Sequence, residues 1–306
     1  MIRFINKNLP QLNVKQVRAL TKFELSLMNS SMAFYGYMIT TTTACPMLGF
    51  GMFFGNSLMA MASQSMGQIE EITEDSKMDR TKNRPLPAGE LSPKYATKVR
   101  NGLFLTANAS FLLFGLSYPA ILLSNLTYAT YYGYVKMKLR SKLNTTFGAV
   151  VGTLPIMIGI VQNVPEFYYS VDLLCNASYL FFWQFLHFYS ILIMYKEQYQ
   201  KTNFKMEYNK NNIAMISFMS GMAMMGGSFL MAYNTTIPLF KICMTTTGLF
   251  HLPLFYQIYN CWVNPGMQSA KQMKMFSYKL FFVFFFFSYL LMHNKERNKR
   301  QIEDKK

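Results

Sequence analysis

Apolar stretches of about 20 residues recur along this chain with short polar gaps between them, which is the length an α-helix needs to cross a bilayer. In lipid every backbone polar group must be satisfied within its own segment or by a closed barrel, so segments of this kind commit the chain to a helical bundle. About nine candidate spans centre near Phe34, Gly55, Leu105, Asn125, Pro155, Phe182, Met219, Leu249 and Phe284. The clearest, Leu280 to Met292, contains the run Phe-Phe-Val-Phe-Phe-Phe-Phe. Composition agrees: 14% of residues are charged, against roughly 25% in soluble domains. The expectation is an all-α polytopic membrane protein with about nine helices around a central cavity. It divides into a basic N-terminal tail (1–22), one transmembrane domain (23–292) and a charged C-terminal tail (293–306).

The formal net charge of +16 would suggest nucleic acid in a soluble protein. Here the basic residues sit in the gaps between apolar runs, so topology explains them and nucleic acid is excluded as a partner. Arg3, Lys7, Lys15, Arg18 and Lys22 precede the first span; Lys136, Lys138, Arg140 and Lys142 fill a gap without acids; further basic residues follow Gln68, Tyr195 and Ser269. With nine spans all of these gaps fall on one face, and Glu166 and Asp172 fall on the other. That places the N-terminus on the matrix or cytoplasmic side. The basic tail after Met292 runs against this count, and eight spans remain an alternative. The bias of the first 22 residues also suits a mitochondrial transit-like segment. Cys45, Cys175, Cys243 and Cys261 are widely spaced without a CxxC pair, which favours packing over a disulfide framework or zinc site.

The gap after the second span holds the densest chemistry. Glu71, Asp75 and Asp79 are spaced four apart, which on a helix stacks carboxylates on one face. Mg²⁺ takes hard oxygen ligands, usually one or two carboxylates plus substrate phosphate. Arg80, Lys82 and Arg84 follow at once, and a guanidinium grips phosphate oxygens with paired hydrogen bonds. Metal-type acids beside phosphate-type cations make a diphosphate site at a membrane surface. A solvated, charge-balanced loop is the competing reading of the run taken alone.

The segment Met78-Asp79-Arg80-Thr81-Lys82-Asn83-Arg84-Pro85-Leu86 resembles the MxRTxxRPL signature of the haem O synthases, and Gly89 and Ser92-Pro93 follow as in that family. Trp183-Gln184-Phe185-Leu186-His187-Phe188 is similar to its WQFPHF segment. Asn144 to Pro155 resembles its NTxxGAxxGAxP helix, preceded by Tyr134 and Lys138 of a YTxxKR pattern, and Leu20-Thr21-Lys22 resembles its LTKP opening. The motifs stand in family order from about Leu20 to the last span. The resemblance implies a UbiA-type fold and a Mg²⁺-dependent prenyl transfer from farnesyl diphosphate to haem B, a substrate rather than a cofactor. It implies diphosphate binding by Arg80, Lys82 and Arg84, metal binding by Glu71, Asp75 and Glu197, assistance from Lys138, and a role for His187 near the haem. It further implies the mitochondrial inner membrane, with the N-terminus and site loops on the matrix side.

The chain departs from the pattern where metal would bind. Gln64 and Gly67 stand where the family has two asparagines, and Gln198 stands where its second acidic motif has Asp. Two readings follow: an active synthase with altered metal ligands, or a non-catalytic homologue serving as a structural subunit of a respiratory complex such as cytochrome c oxidase. The first requires Glu71, Asp75 and Glu197 to converge before Arg80 and Arg84 under an open cavity. The second expects the cavity to be filled by bulky side chains or closed by neighbouring subunits. Both need the loop at 70–84 and the segment at 195–199 to share one rim. His251 has no motif around it and reads as a packing residue.

Overall fold

The computed structural model describes residues 13–41, 43–163 and 170–303, with side chains described to Lys295; Glu166 and the first twelve residues lie outside the described residues. Among the described residues all regular structure is helical. The order is α1 (Val14–Leu20), α2 (Phe23–Met38), α3 (Pro46–Glu70), α4 (Ile72–Asp75), α5 (Pro93–Leu113), α6 (Tyr118–Met137) and α7 (Asn144–Asn163). Then come α8 (Val171–Met194), α9 (Lys196–Gln200), α10 (Lys210–Tyr233), α11 (Pro238–Leu249), α12 (Leu252–Val263) and α13 (Met267–Glu303). Four of them, α7, α8, α10 and α13, are long and apolar enough to cross a membrane by length and composition. The nine expected centres fall in α2, α3, α5, α6, α7, α8, α10, α11 and α13.

Helix starts follow local chemistry. Pro46, Pro93, Pro119, Pro238 and Pro253 sit in the first turns of α3, α5, α6, α11 and α12, where a missing N–H costs nothing. Ser92 caps α5 by accepting from the Tyr95 amide at 3.2 Å, and Asn209 caps α10 by accepting from the Asn211 amide at 2.9 Å.

The span expected around Leu249 is broken. At about 1.5 Å per residue, α11 and α12 are each too short to cross alone, and together they make one crossing. Pro253 opens the second piece. At the break the His251 amide bonds back to the Gly248 carbonyl at 3.1 Å instead of continuing the α-helical ladder. The Thr247 carbonyl so released accepts from His251 Nδ1 at 2.9 Å, and His251 Nε2 accepts from the Tyr179 hydroxyl at 3.2 Å. Both ring nitrogens are satisfied in a fully buried side chain, so the packing reading of His251 holds.

Small residues let the helices touch. Gly36 of α2 and Gly159 of α7 lie against each other's backbone, and Gly55 of α3 receives the Phe111 ring of α5, as small residues do between membrane helices. On the α8 side the Tyr179 and Phe284 rings stack with centroids 3.7 Å apart, and Trp183 Nε1 donates to the Ser277 carbonyl at 3.1 Å. Asn176 joins three helices, its Oδ1 accepting from Tyr35 and Ser288 at 2.8 Å each. On α13, Phe284 is buried while Phe282 and Phe286 are about 60% exposed, the outward apolar surface that lipid covers.

The ends sort as the charges predict. At one end the loops after α3, α6, α8 and α12 gather. At the other, Lys295 Nζ pairs with Asp172 Oδ2 at 2.6 Å and donates to the Asn234 carbonyl at 3.1 Å. Of the basic residues in the tail that runs against the charge rule, Lys295 is neutralised locally. Both segments read as tails carry helix: α1 packs with Leu20 fully buried, and α13 continues to Glu303.

Candidate functional site

The last turns of α3, the short α4, the ends of α6 and α8, the first half of α7 and the start of α2 line a cavity of about 280 Å³ at the loop-rich end of the bundle. Its polar wall holds Lys22, Gln64, Glu71, Asp75, Arg84 and Lys138, and its deeper wall holds Gly148, Gly152, Gln184, His187, Phe188 and Ile191. The loop-side end is thus charged, and the deeper end is without formal charges, with Phe188 and Ile191 beside Gln184 and His187.

Helical spacing aims Gln64, Glu71 and Asp75 inward, and each oxygen donor meets a cation. Lys22 Nζ donates to Gln64 Oε1 at 3.0 Å. Lys138 Nζ donates to Glu71 Oε1 at 2.6 Å and lies over the Tyr134 ring, 4.7 Å from its centroid. Arg84 Nη1 donates to Asp75 Oδ2 at 2.6 Å, with the Asp75 side chain only 4% exposed. Burial opposes charge on Lys138, but the Glu71 carboxylate together with Tyr134 and Tyr131 outweighs it and holds the ammonium well above its usual pKa. Lys22 goes the other way: burial, then the Arg84 charge, bring it down to about 7.

Two loops share the rim. The Arg80 amide donates to Gln198 Oε1 at 3.0 Å, and the Arg80 guanidinium lies 5.4 Å from the Tyr195 ring centroid. Glu74 accepts from the Asn203 amide at 2.8 Å and from Lys77 Nζ at 2.9 Å. The segments at 70–84 and 195–199 therefore meet, as the sequence reading required.

Of the residues anticipated from sequence, Glu71, Asp75, Arg80, Arg84, Lys138 and His187 line this one cavity. Lys82 does not; it pairs with Asp79 at 2.6 Å on the exposed side of the loop. Glu197 is exposed and stands outside the cavity wall. One residue on, Gln198 faces the loop instead, because a single step along a helix turns a side chain by about 100°. His187 Nδ1 lies 3.1 Å from the Tyr278 hydroxyl, and its ring stacks on Trp183 with centroids 4.9 Å apart. Sequence reasoning missed Lys22 as a site residue, although it ends the Leu-Thr-Lys stretch. It also missed Tyr131, whose hydroxyl donates to Gln64 Oε1 at 3.1 Å, and Gln184, whose amide packs so close over Gly152 that a Cβ there would come within 2.5 Å of its nitrogen.

A divalent metal is implied by the family pattern, and the donor set argues against it. Glu71, Asp75 and Gln64 each already receive a charged hydrogen bond, and Glu197 is elsewhere. Among the described residues no cluster of three or more acidic, histidine or cysteine side chains is placed to hold a metal ion. With Glu71 and Asp75 each paired to a cation and no third acid beside them, these residues do not form a Mg²⁺ site from protein ligands alone.

Comparison with known proteins bears on what such a cavity serves. A profile described as the UbiA prenyltransferase family matches residues 30–294. The mitochondrial protoheme IX farnesyltransferase of Arabidopsis thaliana is 28% identical over 296 residues, covering 92% of this chain and 65% of its own length. The chain thus spans slightly under two thirds of that relative. The protoheme IX farnesyltransferase of Opitutus terrae is 29% identical, over 76% of this chain and 80% of its own. Among solved structures, a digeranylgeranylglyceryl phosphate synthase superposes with a TM-score of 0.70 at 14% identity, covering 92% of this chain and 98% of that one. A UbiA homologue from Archaeoglobus fulgidus bound to GPP and Mg²⁺ gives 0.68 at 11% identity, covering 90% and 99%. These structural likenesses carry the fold.

Proposed function

The chain belongs to the UbiA prenyltransferase family, and on that premise we propose that it transfers farnesyl from farnesyl diphosphate to a vinyl group of haem B, forming haem O. The observation that carries this is the division of one cavity into a cationic end and an apolar, histidine-bearing end. The first suits a diphosphate and the second a prenyl chain and a porphyrin edge. The named relatives at 28–29% identity support the choice of acceptor.

In this reading Arg80, Arg84 and Lys138 hold the diphosphate. As the allylic carbon–oxygen bond breaks, the electron pair leaves with the diphosphate, and these cations stabilise the growing negative charge where it develops. The terminal vinyl carbon bonds to the allylic carbon, leaving a cation on the adjacent carbon that water captures. The proton lost from that water has an acceptor in His187: with Nδ1 donating to Tyr278, Nε2 is free to take it. Gln184 and Phe188 on the cavity wall orient the acceptor and keep bulk water from the allylic cation, and Trp183, stacked behind His187, holds that ring in place.

The alternative, a non-catalytic homologue acting as a respiratory-complex subunit, expects a cavity filled by side chains or closed by neighbouring subunits. Of the two conditions set for an active synthase, the convergence of Glu197 with Glu71 and Asp75 fails, while the chain's own side chains leave about 280 Å³ open, and that open space favours catalysis. The proposed location is the mitochondrial inner membrane with the cavity mouth toward the matrix. The basic loops and the mitochondrial relatives from Arabidopsis thaliana and Yarrowia lipolytica support it. The test is haem O formation by the purified protein with haem B and farnesyl diphosphate, read by mass. Product is expected and should vanish in Arg80→Ala/Arg84→Ala. No product from the intact protein while a related synthase is active would reject the proposal.

A further inference from the structure

The cavity face of α3 and α4 presents three oxygen donors, and a protein cation occupies each: Lys22 at Gln64, Lys138 at Glu71 and Arg84 at Asp75. Between them, Gly67 offers no side chain, and Tyr131 takes the space; a Cβ at Gly67 would lie 2.8 Å from the Tyr131 hydroxyl. Neighbouring acids are committed as well. Glu70 pairs with Lys136, Glu74 with Lys77 and Asp79 with Lys82. Two cations on the wall, Lys22 and Arg80, have no carboxylate partner among the described residues. Lys22 is also the one non-glycine residue, among the described residues, with positive φ, at 42°. Such a backbone persists where its surroundings over-determine it, often at ligand sites, and here it delivers the ammonium to Gln64.

We propose that this site binds its diphosphate through Lys22, Arg80, Arg84 and Lys138 in place of a divalent metal, so that binding requires none. The claim rests on the prenyl diphosphate reading and specifies how that site recognises its ligand. Four basic side chains against two carboxylates leave the wall with two net positive charges below about pH 7 and one above it, where Lys22 is neutral. An entering diphosphate meets Lys22 and Arg80 directly. Arg84 and Lys138 use one donor on a carboxylate and have others to turn toward phosphate oxygens. A metal at Glu71 or Asp75 would sit beside Lys138 and Arg84, which already neutralise those carboxylates, and would add its charge to theirs.

The experiment is calorimetric titration of the purified protein with farnesyl thiodiphosphate, whose bridging sulfur resists cleavage, in excess EDTA and in Mg²⁺. Affinities within about threefold of each other are expected. Lys22→Gln should weaken binding by about tenfold in EDTA, a loss of about 1.4 kcal/mol. Asp75→Asn should bind as tightly as the parent or tighter, because it removes a carboxylate that competes for Arg84. If Asp75→Asn does not fold, Glu71→Gln makes the same test through Lys138. Binding that appears only with Mg²⁺, or that is lost in both carboxylate variants, overturns the inference and leaves the diphosphate reading standing. No binding under either condition overturns both.

Discussion

Replacing Gly159 by Ala should damage both stability and the site, although it lies on α7 outside the cavity wall. A Cβ at Gly159 would fall 2.5 Å from the Tyr37 amide nitrogen and 2.9 Å from the Gly36 carbonyl carbon, and closer still to the Ala33 carbonyl oxygen. Ordinary contacts between such atoms need about 3.5 Å, so α2 must retreat by more than about 1 Å. The obstructing atoms are backbone and cannot rotate aside. The cost belongs at the upper end of the usual overpacking penalty, about 3 kcal/mol. For a chain of this size that is a fall of roughly 6 °C or more in melting temperature. Because α2 carries Leu25 and Asn29 into the cavity wall, prenyl transfer should fall with it; a misplacement of about 1 Å can cost on the order of a hundredfold in rate. The control is Gly227→Ala, where a Cβ meets nothing within 4 Å. Thermal unfolding in detergent and turnover are measured on both variants. Equal effects from the two, or a Gly159→Ala protein that melts and turns over like the parent, would refute the close α2–α7 approach.

Arg84→Ala strands the buried Asp75 carboxylate and should cost about 3 kcal/mol. Adding Asp75→Asn should recover most of that loss, and thermal unfolding of the two singles and the double checks the coupling. With its pKa near 7, Lys22 is charged below that value and neutral above it. Affinity for farnesyl thiodiphosphate, taken as a ratio to Lys22→Arg, should therefore fall as pH rises from 6.5 to 8.5, by up to about tenfold per unit. The groups shaping that titration are Arg84, Glu71, Lys138 and Asp75, and a flat ratio would remove Lys22 from ligand contact. His187→Ala should lower haem O formation by about a hundredfold or more while leaving thiodiphosphate affinity within about threefold; an equal loss of both would make His187 a packing residue.

Much of this was legible from sequence because it rests on period and spacing. Apolar runs of spanning length located the helices, and the acid spacing from Glu71 to Asp75 set their carboxylates on one face. The basic gaps sorted the loops onto one end. What was hidden depends on contacts between segments far apart in the chain. Lys22 read as one more tail cation, because nothing local says that its ammonium reaches Gln64, 42 positions away. Tyr131 is one of several tyrosines on α6, and Gln184 stood inside a motif without a role of its own; only the closed bundle sets both on the cavity wall. Glu197 and Gln198 differ by one step, and the register of the five-residue α9 decides which faces the loop. The break between α11 and α12 left only Pro253 as a hint, since hydropathy averages across it.

The most direct test is an experimental structure of the protein with farnesyl thiodiphosphate in a lipid nanodisc, prepared with EDTA. The account places the diphosphate at the loop-rich end of the cavity, within hydrogen-bonding reach of Arg80, Arg84, Lys138 and Lys22, with the farnesyl chain running past Gln184 toward His187. A diphosphate bound elsewhere, or a cavity mouth closed with Arg84 and Lys138 still turned from the ligand, would contradict it.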